Sequence, residues 1–234
     1  GASSISIHPT TKDVSVITLN GIPFYSDAAN NSMYTHDVSA TETTAAQNTA
    51  YGFISLDAIT TGDNNTAIGF QAGTQLTSAP QNTIIGALAG DALTEGGFNV
   101  AIGYNALSAE TAHGTNVAIG KSALQNLNAG VNAYNVAVGF EAGVAMSEGV
   151  NNTLLGAKAG DALTTGSYNV AIGFEALSSE DSGGKNVAIG RLALKDLDAG
   201  IDAYNVAIGF NAGENVSTGI RNTIIGGEAG DALT

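Results

Sequence analysis

The stretch Asn99-Val100-Ala101-Ile102-Gly103 belongs to a repeat that decides the fold of this chain. The word Asn-[Thr/Val]-[Ala/Ile/Leu]-[Ile/Val/Leu]-Gly occurs ten times, with a spacing of 17 or, twice, of 19. Three intervals of 17 and one of 19 make a 70-residue super-repeat, and a degenerate copy of the word begins at Asn48. A tandem repeat of this length indicates a solenoid, whose coils bury their apolar faces against each other. The ten words begin at Asn65, Asn82, Asn99, Asn116, Asn135, Asn152, Asn169, Asn186, Asn205 and Asn222.

Two further positions are constant in all ten copies. Gly follows each Asn by four residues, and Ala follows it by seven. The position after that Ala alternates in pairs, with Gly73 and Gly90 followed by Leu107 and Leu124. A constant Gly indicates a backbone position with φ > 0, or an approach so close that a Cβ would block it.

The repeated word predicts a short strand that ends at Gly, because it is too short and too β-branched for a helix. In that strand Val100 and Ile102 share one face, and Asn99 and Ala101 share the other. We expect Val and Ile to form the core stack and the Ala face to be flat enough for a neighbouring chain. The Asn column predicts a stacked amide ladder. A second short strand is expected around Ala106 and Leu107.

The sequence therefore predicts an all-β fold, a parallel β-solenoid of about 17-residue coils over residues 48–234. The alternative is a mixed strand–helix solenoid, in which segments such as 106–110 form a helical turn. Residues 1–47 lack the repeat and are predicted to be an N-terminal cap or docking segment. Within them, residues 4–8 and 13–19 alternate as strands do. The chain stops inside a third super-repeat, and we expect the natural protein to continue beyond Thr234.

Composition and charge exclude several classes of function. The chain has 7 Lys and Arg against 21 Asp and Glu, for a net charge of −14, whereas nucleic-acid binding needs a basic surface. The chain has no run of about 18 apolar residues, so no transmembrane helix is predicted. The chain has no Cys, which removes disulfide and thiol chemistry. We therefore expect neither nucleic-acid binding nor membrane insertion.

The histidines do not form a metal or catalytic site in the sequence pattern. His8, His36 and His113 each lack a second ligand at the spacing of a zinc site. The segments 62–65 and 181–184 are rich in oxygen ligands, but they lack the repeated calcium-binding word and are interpreted as ordinary turns.

The repeated acidic residues also favour a structural role. Asp91, Asp161 and Asp231 recur once in each super-repeat, after Gly and before Ala-Leu-Thr, which suits an Asp that caps a turn. An active site would be expected to occur once and to break the repeat. We predict no catalytic, cofactor-binding or metal-binding residues, no cofactor and no enzymatic activity.

The repeat resembles those of known families. Asn-[Thr/Val]-Ala-Ile-Gly, with Ala three residues later, is similar in tandem to the head repeats of trimeric autotransporter adhesins. It resembles more closely the Asn-Thr-Ala-Ile-Gly-Tyr-x-Ala-Leu arrays of phage tail fibres. The resemblance covers residues 48–234 and implies a left-handed parallel β-roll, with three chains side by side. The coil lengths of this chain depart from the shorter coils of the adhesin heads.

The expected function is that of a structural shaft in a viral tail fibre or similar appendage that supports host attachment. The expected partners are further copies in a homotrimer and a host-surface glycan or protein receptor, and the expected location is the virion or the cell exterior. The first alternative is a bacterial trimeric surface adhesin. The second is a tailspike that cleaves polysaccharides with paired Asp and Glu residues.

Overall fold

The chain folds into one 15-stranded sheet whose strands neighbour each other in chain order. The computed structural model describes residues 8–9, 14–19, 22–27, 32–35 and 44–233. These residues contain no helix, and twelve of the strands run parallel as the coils of a β-solenoid. The predicted all-β solenoid is confirmed, and the strand–helix alternative is wrong for the described coils.

The N-terminal strands extend the sheet of the solenoid. Strands β1 (His8–Pro9), β2 (Val14–Leu19), β3 (Ile22–Asp27) and β4 (Ser32–Tyr34) pair antiparallel in sequence, and β4 then pairs parallel with the first coil. The strand predicted over 13–19 is confirmed over residues 14–19 as β2, whereas residues 4–7 and 13 lie outside the described residues. The role of residues 1–47 as a cap or docking segment stays a prediction.

Each of the eleven coils contributes one three-residue strand, formed by the residues directly after the repeated Asn. Neighbouring strands pair in parallel and in register, so that like positions stack on each other, as Val100 does on Val117. The strands are β5 (Thr49–Tyr51), β6 (Thr66–Ile68), β7 (Thr83–Ile85), β8 (Val100–Ile102), β9 (Val117–Ile119), β10 (Val136–Val138), β11 (Thr153–Leu155), β12 (Val170–Ile172), β13 (Val187–Ile189), β14 (Val206–Ile208) and β15 (Thr223–Ile225).

The prediction of which strand residues face the core was wrong. We number positions within a coil from the repeated Asn, which is position 0. Ala101, at position 2, is fully buried, whereas Val100 and Ile102 at positions 1 and 3 are partly exposed. The reason is that Asn at position 0 must turn inward to reach its hydrogen-bond partners, and position 2 then shares its side of the strand.

The second half of each coil consists of turns rather than a second strand. Asn105 and Leu107, at positions 6 and 8, have φ angles of 55° and 52°, in the left-handed region. The expected strand around Ala106 and Leu107 is therefore wrong, because alternate left-handed residues cannot continue an extended chain. Backbone bonds between coils persist even here, as from Leu107 N–H to the carbonyl oxygen of Ala123 at 3.0 Å.

The predicted amide ladder is confirmed inside the solenoid. The backbone N–H of Asn152 donates to Oδ1 of Asn135 at 2.9 Å, and Nδ2 of Asn135 donates to the carbonyl oxygen of Gly149 at 2.8 Å. The bond from backbone N–H to the preceding Asn Oδ1 is present at all ten steps. Each amide is buried or nearly so, and a buried amide is stable in a core when its donors and acceptors are paired.

The sizes of the side chains at positions 2 and 8 are coupled, because both positions fill the same space in the core. Ile84 stands at position 2 of its coil. Position 8 is then Gly in two coils, with Gly90 in the same coil and Gly73 in the preceding one. A Cβ added to Gly73 would lie 2.9 Å from Cδ1 of Ile84, so the Ile side chain fills the space that Leu107 and Leu124 fill in the next coils. Leu154 with Gly143 and Gly160, and Ile224 with Gly213 and Gly230, repeat the arrangement. The paired alternation of Gly and Leu is thus a packing rule.

The constant Gly at position 4 combines both of the features predicted for it. Its φ angle lies between 128° and 149° in every coil. A Cβ on Gly103 would also lie 2.4 Å from the carbonyl oxygen of Gly120 in the next coil. Any side chain at this position would hold two coils apart.

Replacing Gly103 by Ala should therefore destabilise the chain strongly. We expect the free energy of unfolding to fall by about 3 kcal/mol or more, because backbone strain and a backbone clash add. The control is Gly130→Ala, where the φ angle is 69° but no atom lies within 4 Å of the added Cβ; it should cost about 1 kcal/mol. Urea unfolding followed by circular dichroism measures both, and equal losses would contradict the close-approach argument.

The packing rule predicts that one type of coil can be converted into the other. Ile84→Ala alone should cost about 2–5 kcal/mol because it leaves a cavity, and Gly90→Leu alone should clash with Ile84 and Leu93. The triple variant Gly73→Leu, Ile84→Ala, Gly90→Leu should recover most of the lost stability. The same unfolding measurement applies, and additive losses in the triple variant would show that positions 2 and 8 do not share one space.

Candidate functional sites

Two buried glutamates are the main chemical irregularity of the core. Glu110 and Glu180 lie at position 11, are 0% exposed and occupy equivalent places in successive super-repeats. In eight other coils this position holds a buried apolar side chain, namely Ile59, Leu76, Leu93, Leu127, Met146, Leu163, Leu197 or Val216, and in the last coil it holds the exposed Leu233. Sequence reasoning missed both residues, although an acidic residue in a column of Leu was a signal available in the sequence.

These glutamates compensate for the change from a 17-residue to a 19-residue coil. In an ordinary coil the backbone N–H groups of positions 12 to 14 converge on one carbonyl oxygen of the next coil, as those of residues 94–96 do on Thr111. The coils that contain Glu110 and Glu180 are each followed by a 19-residue coil. There Oε1 of Glu110 accepts from the N–H of Thr111 at 3.1 Å and of His113 at 3.2 Å, and Oε2 accepts from Ala129 at 3.4 Å. The carboxylate thus replaces the acceptor and bridges the two coils.

Glu180 makes the equivalent bridge in the second super-repeat. Its Oε1 accepts from the N–H of Gly183 at 2.7 Å and of Gly200 at 3.4 Å, and its Oε2 accepts from that of Ala199 at 3.1 Å. Glu110 has one neighbour that Glu180 lacks, because Nδ1 of His113 lies 3.8 Å from Oε1 of Glu110. Position 183 is Gly, so a His–Glu pair is not part of the repeat.

Burial raises the pKa of Glu110 above its usual value, although three backbone N–H groups and His113 act in the opposite direction. Burial also raises the pKa of Asp91 and Asp161. Asp91 and Asp161 lie in turns, but Oδ1 of each is buried without a hydrogen-bond partner among the described residues, so the turn cap stays a prediction. Asp231 is exposed.

Three carboxylates lie close together in the second super-repeat. Glu180, Asp181 and Asp198 each offer an oxygen atom, and these atoms lie within 4.8 Å of one another. Asp181 belongs to the segment 181–184 that the sequence singled out as oxygen-rich. Both oxygens of Glu180 already accept backbone hydrogen bonds, and the first super-repeat has Thr111 and Asn128 at the corresponding positions. The bridge between coils explains Glu180 but not Asp181 or Asp198, and the absence of a metal site stays a prediction.

The other predicted site residues have ordinary surroundings or lie outside the description. The His8 side chain and His36 lie outside the described residues. In the segment 62–65, Oδ1 of Asp63 accepts from the N–H of Ala46 at 2.8 Å, as a residue in a structural turn does. Asp91 and Asp161 obey the repeat, and the absence of catalytic residues stays a prediction.

The largest unexplained surface is the outer side of the strands. We call it the outer strand face and define it as positions 1, 3 and 5 of every coil and the residue before the Asn. Positions 1 and 3 carry Val, Thr, Ile or Leu in all coils but the first, where Tyr51 stands at position 3. The face continues along the whole stack, because the strands pair in register.

Exposed aromatic side chains flank this face on alternate coils. Phe98 before the Asn is 58% exposed, and Tyr104 at position 5 is 49% exposed. The alternation fails only at the first coil, because the first and second coils both carry an aromatic residue at position 5. These two rings, Phe53 and Phe70, stack in parallel with 6.3 Å between their centroids. The exposed aromatics are Phe53, Phe70, Tyr104, Phe140, Phe174 and Phe210 at position 5, and Phe98, Tyr134, Tyr168 and Tyr204 before the Asn.

The outer strand face carries no acidic residue. None of the Asp and Glu residues of the chain from 48 onward occupies its four positions, whereas four of the six Lys and Arg residues do. Three of these cations lie over rings of the next coil: Lys121 over Phe140 at 4.8 Å, Arg191 over Phe210 at 5.3 Å and Lys185 over Tyr204 at 5.0 Å. In a chain of net charge −14 this distribution makes one face apolar to basic and leaves the acidic charge on the others.

Comparisons of this chain with protein families, curated proteins and solved structures found no match. Among the residues that the structure describes, no helix is long and apolar enough to span a membrane.

The raised pKa values give a testable pH dependence. Because Glu110, Asp91 and Asp161 have higher pKa values in the folded chain than when unfolded, their contribution to stability is present at low pH. That contribution is lost as the pH rises through the folded pKa values. Thermal unfolding between pH 4 and 7 should show a steeper loss on the alkaline side for the wild type than for the Asp91→Asn, Asp161→Asn variant. Glu95→Gln, at an exposed position, is the control, and an unchanged pH profile in the Asp double variant would contradict the assignment.

Proposed function

We propose that this chain is the rigid shaft of a fibrous surface appendage, such as a viral tail fibre that supports host attachment. The observation that carries the proposal is the continuous ladder of eleven coils, in which backbone bonds and buried Asn amides link every coil to the next. Such a stack resists bending, because each coil is fixed to its neighbours at several points around its circumference. A shaft of this kind holds a binding tip away from the particle.

The repeated character of the chain supports a scaffold rather than an enzyme. The two buried glutamates recur at the super-repeat period and are occupied by backbone N–H groups, so that they bridge coils. The recurring Asp residues behave as parts of turns. A catalytic pair would have to operate among groups that the fold already uses.

The proposal includes association of three copies into one fibre on the outside of a virion or cell. The resemblance to tail-fibre and adhesin repeats suggests the number three. The large apolar outer strand face supports association of some kind, because soluble monomers rarely expose such a surface. A bacterial surface adhesin would use the same rod, and the two differ in what the rod carries.

Purified chain should behave as an elongated homotrimer. Native mass spectrometry should give three times the mass of 23.3 kDa, and small-angle scattering should give a rod at least about 50 Å long, from eleven coils at about 4.8 Å each. A maximum dimension well below about 50 Å would contradict the stack of eleven coils and with it the shaft. A monomeric rod would remove the trimer and leave the shaft intact, so the two parts of the proposal are tested separately.

A further inference from the structure

We propose that copies of this chain meet through the outer strand face, with the acidic faces turned away from the contact. The proposal rests on the proposed function, since it names the surface by which the shaft assembles. It depends on three observations that are independent of the resemblance: the size of the apolar face, its match to the repeat and its charge.

The face is large enough for a stable interface. Its extent is roughly 1,000 Å², from about 4.8 Å per coil and about 3.3 Å per residue along the strand. The largest apolar patch of a typical monomer is about 300–600 Å², and a standard interface buries about 800 Å² per partner. Aromatic and Arg residues, which stand along both margins of the face, are also the residues enriched in such interfaces.

The repeat favours another copy of this chain as the occupant. From the second coil onward, positions 1 and 3 are aliphatic or Thr. The side chains in these two columns are spaced by the distance between neighbouring coils along the whole stack. A partner that covers such a face over its whole length must offer apolar groups at the same rise. A second copy does so automatically, because its own outer strand face is built from the same columns.

The charge distribution favours the same occupant. Two chains of net charge −14 repel each other, and the repulsion would be strongest if carboxylates met in a desolvated contact. The outer strand face excludes every acidic residue of the coils, and its four basic residues are Lys121, Lys185, Arg191 and Arg221. Lys185 also pairs with Asp202 at 2.6 Å, and rings lie beside three of the four cations. Contact through this face therefore brings the copies together where the chain is least negative.

A polysaccharide is the competing occupant. The flanking aromatics recur on every second coil with small, polar or basic residues between them, a pattern that could stack sugar rings along the rod. The column at position 3 argues against it, because its Ile, Val and Leu side chains from Ile68 to Ile225 offer no hydrogen bonds to the hydroxyl groups of a sugar, and the Thr residues at position 1 recur in only some coils. Packing against a second copy of the chain would bury the apolar side chains at positions 1 and 3.

The test combines charge substitutions with thiol accessibility. Ile102→Asp with Ile172→Asp places two charges on the face, and both sites are partly exposed in the single chain, so that the fold should persist by circular dichroism. The matched control is Gln75→Asp with Asn126→Asp, two exposed residues at position 10 of other coils. We expect native mass spectrometry to show a monomer for the Ile variant and the wild-type assembly for the control.

Accessibility gives a readout that does not depend on the number of copies. Because the chain has no Cys, Val136→Cys and, separately, Asn126→Cys introduce single thiols on and off the face. Maleimide should modify the Val136→Cys thiol about tenfold more slowly than the Asn126→Cys thiol in the assembly, since a packed interface excludes the reagent. The difference should disappear when Ile102→Asp and Ile172→Asp are added.

The outcomes separate this inference from the proposed function. An assembly that survives the Ile substitutions and leaves the Val136→Cys thiol reactive would overturn the inference and keep the fibre. A wild-type monomer with a reactive thiol would overturn both the interface and the association of copies. A wild-type monomer whose thiol is protected only by added polysaccharide would overturn the inference and assign the face to a glycan.

Discussion

The structure depends on the in-register hydrogen bonding of each coil to the next. Backbone groups in the strand and the backbone N–H of each repeated Asn find their partners one coil away, and the left-handed turns combine such bonds with bonds inside the turn. This requirement explains the constant Gly at position 4, where a Cβ on Gly103 would lie 2.4 Å from the neighbouring backbone. It also explains why small residues dominate a chain that still buries a continuous core.

The same requirement explains the most unusual residues of the chain. Where a coil of the longer type follows one of the shorter type, the backbone acceptor at one corner is replaced, and a buried carboxylate takes its place. Glu110 and Glu180 are therefore the consequence of the longer coils rather than the remains of an active site. An ionisable group in a core is commonly a mark of function, but the hydrogen bonds of these two residues supply a complete structural reason.

The strand residues that do not pack inside the coils form the outer strand face, on which the proposed association depends. The inner side of each strand is occupied by Asn and by Ala, or by Ile or Leu in three coils, so the aliphatic and Thr residues at positions 1 and 3 point outward. The outward columns, the flanking aromatics and the absence of acidic residues together form a surface of a kind that soluble monomers rarely expose. Rigidity and a self-complementary face are the two physical properties on which the proposed shaft depends.

The sequence by itself determined the coil length, the parallel stack, the Asn ladder and the close approach at Gly, because these features impose residue identity at fixed intervals. Only the tertiary structure decided which side of the strand is the core. The pattern Val-Ala-Ile is compatible with a core formed by Val and Ile or with a core formed by Ala. Which of the two sides faces the core depends on the bonds that Asn99 makes one coil away. The left-handed residue at position 6, such as Asn105, was likewise hidden, because no coil has Gly there and the stack itself holds it in place. At position 8, where Leu107 is left-handed, Gly in six of the eleven coils was the available signal.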